Sequence, residues 1–132
     1  MSMRAVKNAV LARLREDSAL KDRVFEGVVT NRPTRYVTVF SDSGQRSQER
    51  FTGGQWASTQ TFVIHSVSES PDKAQIEADR VFAKLLDWTP TVEGRRCRRV
   101  RHASSQPVQY DTDVSPPLYY CVDEFDVTST PY

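Results

Sequence analysis

The stretch SPDKAQIEADRVFAKLLD, residues 70–87, constrains the fold of this chain more than any other. Ser70 stands where a side-chain oxygen can cap a helix, Pro71 occupies a first helical position that needs no N–H, and Asp72 suits the positive end of the dipole. Ala74, Ala78, Val81, Phe82, Leu85 and Leu86 recur at helical spacing and make one apolar stripe. The segment reads as an amphipathic helix that stops near Asp87 and has one face to bury. A second such helix opens the chain, where Met3, Val6, Val10, Leu11 and Leu14 lie three and four apart behind Ser2 as a cap.

The remaining apolar residues follow a period of two. After a short helical turn that points Leu20 and Val24 inward, VFEGVV is rich in β-branched and aromatic residues and reads as a strand, which NRPTR breaks. In RYVTVF (35–40), Val37 and Val39 share one face, while Tyr36, Thr38 and Phe40 share the other. In WASTQTFVIHSV (56–67), Trp56, Phe62 and Ile64 oppose Val63, His65 and Val67. Between these two strands, SDSGQRSQERFTGG is polar with three glycines, which predicts a long polar loop or hairpin arm over 42–55. Beyond the second helix come an arginine-rich strand (95–103), a loop SSQPVQYDTDVSPP, and a last strand LYYCVDEFDVT (118–128). This order predicts an α+β fold, a mainly antiparallel sheet of about four to five strands with both helices packed on it. A chain of 132 residues, 38% hydrophobic and 27% charged, suits one domain with a single modest core.

Catalytic chemistry finds no frame. Each of the two histidines, His65 and His102, stands outside any nucleophile or metal motif, and His65 fits the alternation of its strand. Cys97, His102, Cys121 and His65 lack the short fixed spacings of zinc ligands. DEFD (123–126) stands without a second acidic cluster, and FTGG (51–54) lacks a phosphate-loop frame and precedes a strand. The expectation is a protein that is not an enzyme, with no catalytic, metal-binding or cofactor-binding residues and no cofactor. No apolar run reaches the length of a membrane span, and the first residues lack the apolar stretch of a signal peptide, so no membrane partner is expected. Cys97 and Cys121 read as reduced thiols of a cytosolic setting, or as a disulfide if their strands are neighbours.

The unusual feature is GRRCRRVRH (94–102), with five arginines in seven positions. As one strand it would place Arg95, Cys97, Arg99 and Arg101 on one face, and Arg96, Arg98, Val100 and His102 on the other. Lysines and arginines (18) nearly cancel aspartates and glutamates (17), whereas a free-standing nucleic-acid binder carries a basic excess. The strip has no interleaved aromatics for stacking bases and no helix to enter a groove. Arginine outnumbers lysine 14 to 4, a bias that favours protein surfaces. Two readings stay open: a charged, part-exposed strand balanced by Asp123, Glu124 and Asp126 of the last strand, or a protein contact.

Taken in order, LARLREDSALKDRVFEGVVTNRPTRYVTVF, then FVIHSVSESPDKAQIEADRVFAKLLDW, then VEGRRCRRVRHASSQPVQYDTDVSPPLYYCVDEFDVTSTP resemble the tail terminator (tail completion) proteins of long-tailed phages, particularly those of actinobacteria. The likeness spans residues 6 to 131 and rests on the order and spacing of its pieces: a Y-V-T-V strand after a proline, the A…ADRV helix, the VEG turn and the D-T-D-V…P-P loop. It implies a single tail-terminator-like domain over 1–132 that assembles into a homo-oligomeric ring, typically a hexamer. The ring caps the head-proximal end of the tail tube, ends its polymerisation and joins the tail to the neck. Partners would be further copies of the chain, the tail tube protein, a neck or head-completion protein, and DNA that passes through the lumen unread. The setting would be the virion, with assembly in the host cytoplasm. The alternatives are another neck component (a head–tail connector or head-completion protein), or a small nucleic-acid-binding protein using the arginine strip. A ring needs two different patches that fit each other. Our candidates for these contacts are Arg95, Arg96, Arg98, Arg99 and Arg101 on the basic side, Asp123, Glu124 and Asp126 on the acidic side, and Arg46 and Arg50 in the arm.

Overall fold

The computed structural model describes residues 2–29, 34–42, 45–48, 56–111 and 118–131. The elements are α1 (Ser2–Arg15), β1 (Val24–Glu26), β2 (Tyr36–Ser41), β3 (Gln45–Gln48), β4 (Trp56–Ser68), α2 (Pro71–Leu85), β5 (Arg95–Cys97), β6 (Arg101–Asp111) and β7 (Leu118–Pro131). The two longest strands, β4 and β7, are antiparallel neighbours from Ser58↔Ser129 to Ser68↔Tyr119. Along the free side of β4 run β3 and then β2, and along the free side of β7 run β5 and then β6. Each flank is thus one strand broken in two, and β1 closes the order as a parallel neighbour of β2. The expected α+β fold is present, with every other pairing antiparallel.

Strand alternation decides where the core sits. Phe62 and Phe125 are register partners on β4 and β7, both wholly buried. Around them gather Val37 and Val39 of β2, Ile64, Val127, the α1 residues Val6, Val10 and Leu14, and the α2 residues Val81 and Leu85. Ser70 caps α2 as expected, its Oγ accepting the Lys73 N–H at 3.2 Å. Leu20 and Val24 are buried in the turn after α1. Both helices cover the same sheet face, and Arg13 ties them by donating to the Lys84 carbonyl at 2.9 Å.

Four expectations need correction. Leu86 is 45% exposed rather than part of the stripe. Its N–H still bonds the Phe82 carbonyl at 2.9 Å, but its backbone is extended and the chain leaves the helix there. Asp87 then turns it with a φ of 62°. Second, the stripe contains a charge: Glu77 is 0% exposed. Its Oε1 meets Arg35 Nη2 at 2.6 Å, Arg80 Nη1 at 3.2 Å and Arg23 Nη1 at 3.2 Å, which joins α2 to the entries of β1 and β2. Third, the arginine strand is interrupted at 98–100, between β5 and β6. Fourth, much of the expected loop 104–117 is strand, since β6 continues to Asp111. Pro107 is tolerated there because β6 is a flank strand and a register shift falls between Gln106 and Gln109, where no ladder N–H is needed.

Within the arm 42–55, β3 forms a hairpin partner for the start of β4, and residues 43–44 and 49–55 lie outside the described ones. Cys97 pairs with Ser129 of β7, eight residues along the strand from Cys121. At ~3.4 Å per residue that is roughly 27 Å, far beyond the Cα separation of a disulfide. Both thiols are free.

Truncating Phe125 to alanine should lower unfolding free energy by about 3–5 kcal/mol, because the site opposite Phe62 is closed on all sides. Leu86→Ala, at an exposed cap, should stay within about 0.5 kcal/mol of wild type. Urea titration of the two variants reads both, and equal losses would contradict the corrected stripe.

Candidate functional site

The sequence singled out the arginines, and the local geometry sorts them. Val92 is buried, and Gly94, at a φ of 80°, reverses the chain so that the Arg95 N–H reaches the Val92 carbonyl at 3.2 Å. A side chain at this left-handed position would be strained. Arg95 then turns onto β7, donating through Nε to Ser129 Oγ at 2.8 Å and through Nη2 to the Ser129 carbonyl at 2.9 Å. The Arg98 N–H still reaches Thr128 O at 2.8 Å, but the Val100 N–H goes to Trp88 O at 2.8 Å and the Val100 side chain drops into the core. Burial of Val100 is what kinks the strand. Arg95 is therefore an internal clamp, and Arg96, Arg98, Arg99 and Arg101 are exposed around one corner of the sheet. Arg99 comes to 4.0 Å of Asp87, but both side chains are about 70% exposed, so the pair contributes little.

The acidic run alternates as expected, with Asp123 and Phe125 toward the helices and Glu124 and Asp126 on the other face. It does not lie opposite the whole arginine strip. The kink sets Arg95 and Arg96 against Pro131 and Thr130, and only Arg101 faces a carboxylate across the ladder, that of Asp126. Asp126 also accepts from Thr61 Oγ1 at 2.9 Å. Asp123 is buried, 3.5 Å from His102 Nε2, and the His102 ring packs edge-on against Phe82. Asp123 therefore serves its own chain, leaving Glu124 and Asp126 half-exposed. In the arm, Arg46 pairs with Ser58 in register, and Arg50 lies outside the described residues. His65 and His102 sit on opposite sheet faces, and Cys97 on β5 lies beside Ser129, eight residues along β7 from Cys121, so the four cannot share a metal ion. Among the described residues no group of three His, Cys, Asp or Glu side chains is placed to hold one.

A second feature escaped the sequence reading. On the sheet face away from the helices, the segment after β1 folds over β2 and leaves a groove of about 240 Å³. Gly27 makes the bend at a φ of 74°, Thr38 donates its hydroxyl to the Gly27 carbonyl, and Val28 stands 78% exposed at the rim. His65 forms part of the wall, its ring 5.0 Å from that of Phe40 and 5.6 Å from that of Tyr120. Tyr120 is held by a 2.7 Å hydrogen bond to Gln109 Oε1. The groove offers mainly aromatic and aliphatic surface, with Thr38, His65 and Asp111 also in its lining. The alternation of β2 and β4 placed these residues on one face, but the covering segment 27–29 read only as more strand.

Burial holds the His65 imidazole below its ordinary value of 6.5. The folded chain thus binds fewer protons than the unfolded chain once the pH falls below 6.5, and stability drops until the pH passes the folded value. His65→Phe should remove this part of the acid-side loss. Thermal melts of both proteins from pH 7.5 to 5 measure it, and parallel curves would contradict the burial of a neutral imidazole.

Comparison with solved structures adds the fold relationship. A chain from the virion of a native gene transfer agent particle superposes with a TM-score of 0.72, at 16% identity, covering 96% of this chain and 95% of that one. Another solved chain, whose name carries no functional description, superposes with a TM-score of 0.56 at 14% identity, covering 100% of this chain and 97% of its own length. No family model matches the sequence, and no curated protein matches it. At these identities the likeness is one of fold, and the chain has the fold of a gene transfer agent virion subunit over nearly its whole length.

Proposed function

We propose that this protein is a structural component of a phage-like virion, a ring-forming subunit that caps the head-proximal end of the tail tube and joins it to the neck. The observation that carries this reading is the end-to-end likeness to a chain of a gene transfer agent virion. The resemblance of the sequence to tail terminators supports the finer assignment to the ring. In this role the protein assembles and is not a catalyst. It would work in the virion after assembly in the host cytoplasm, with the tube protein below it, a neck protein above it, and DNA passing through without being read.

The surface chemistry fits a ring. Heterologous contacts need unlike patches on one subunit, and the corner carrying Arg96, Arg98, Arg99 and Arg101 is one such patch. Carboxylates of a neighbouring copy are its natural partners, because guanidinium groups bind them in paired geometry. Glu124 and Asp126 remain candidates for the opposing side, and Arg46 in the arm remains a separate candidate contact. Arg95 and Asp123 are left out, since both are committed within the chain.

Solution mass tests the ring, and a hexamer-sized species is the expected result. Reversing the corner with Arg96→Glu and Arg98→Glu should leave the monomer folded but give particles with overlong tails or with heads and tails unjoined. Normal tails and full infectivity from that variant would remove the corner from assembly. A monomer whose affinity for duplex DNA falls steeply with salt would instead favour the nucleic-acid-binding alternative, since phosphate contacts release counterions.

A further inference from the structure

The one charged group inside the apolar stripe of α2 points to a site of its own. Glu77 is fully buried, and three guanidinium groups, those of Arg35, Arg80 and Arg23, converge on one of its two oxygens, Oε1, while Oε2 is buried without a hydrogen-bond partner. Their side chains are 33%, 33% and 25% exposed, so each reaches from the buried carboxylate toward solvent. Three positive charges meet one negative charge. The neighbouring pair does not redress this, because Glu69 is bound to Lys73 at 2.9 Å and brings one charge of each sign.

The donors tell the same story. Arg23 spends Nε and Nη2 on the Ala19 carbonyl, which anchors its head, while its buried Nη1, the atom that meets Glu77, makes no hydrogen bond. Arg35 gives Nη2 to Glu77, and its Nε is buried without a protein partner. A guanidinium fork matches the paired oxygens of a phosphate or carboxylate group, and adjacent forks match a tetrahedral oxyanion better still. Glu77 has a plain role in such an arrangement. It holds three like-charged, part-exposed side chains together at one place.

We propose that Arg23, Arg35 and Arg80, held in register by Glu77, form an oxyanion-binding site at the junction of α2 with the entries of β1 and β2. The oxyanion can be free phosphate or the carboxylate of a second copy, and the two sources separate by experiment. The proposal does not depend on the ring reading, since an isolated subunit carries the whole site.

Inorganic phosphate is titrated into the purified protein at constant ionic strength, with chloride as the control. The Nε–Hε resonances of the arginines are followed by NMR, melting temperature in parallel, and oligomeric mass by light scattering. The expected result is saturable movement of the Arg35 and Arg23 resonances with a Kd on the order of 1 mM, and none for exposed Arg99. Arg35→Gln with Arg80→Gln should weaken binding at least tenfold, while Arg99→Gln leaves it unchanged. If free phosphate is the ligand, the melting temperature rises and the mass stays constant. If the site takes a neighbour's carboxylate, phosphate competes and the mass falls. Resonances that do not saturate in the wild-type protein would overturn the proposal without reference to any variant. So would phosphate binding that survives the double substitution.

Discussion

The antiparallel ladder between β4 and β7 is the constraint on which the rest of the molecule depends. These are the longest strands, and each has one side occupied by the other. Every remaining strand except β1 finds its backbone partners on one of their two free sides. Their facing pair, Phe62 and Phe125, is also the middle of the core. The helices have little to pack on except this ladder and its β2 neighbour, which is why α2, following β4 after two residues, lies back across it.

How much of this was legible follows from what each residue had to bury. Strands with one apolar face, β2 and β4 above all, declared their sidedness through Val37, Val39, Phe62 and Ile64, and the caps of α2 were explicit in Ser70 and Pro71. The polar strand β3 reads as part of a loop or hairpin arm, and β6 beyond residue 103 as loop, because backbone pairing holds them and leaves no apolar alternation. In β6 the residues from Arg101 to Pro107 are all exposed, so nothing in their side chains reports the ladder beside them. The kink was hidden for the opposite reason: Val100 is one apolar residue among arginines, and only the position of Trp88 explains why it turns inward. Glu77 did leave a trace. A carboxylate midway between Ala74 and Val81, within a stripe otherwise apolar, signals a buried ion that must have partners. Those partners, Arg23 and Arg35, are 54 and 42 residues away in sequence and unite only in the fold.

The arginines thus divide into two functions by environment. Arg95, Arg23, Arg35 and Arg80 are committed to specific acceptors inside the chain, and they bring distant segments together. Arg96, Arg98, Arg99 and Arg101 present their heads at a surface corner, where ion pairs contribute little to the stability of the monomer. Charges of the second kind gain value when a partner excludes water around them, which links the near-neutral composition to assembly. Within the strip itself no aromatic residue is interleaved with the arginines, which argues in the same direction. In the proposed ring, such a protein would need signed patches on a sheet rigid enough to hold them in place.

The most direct measurement is the location of the protein in intact particles. Purified virions labelled with gold-conjugated antibody against the chain and viewed by electron microscopy should carry label at the head–tail junction, and isolated tails should carry it at one end only. Particles without label, or label on the capsid or along the tail, would contradict the account.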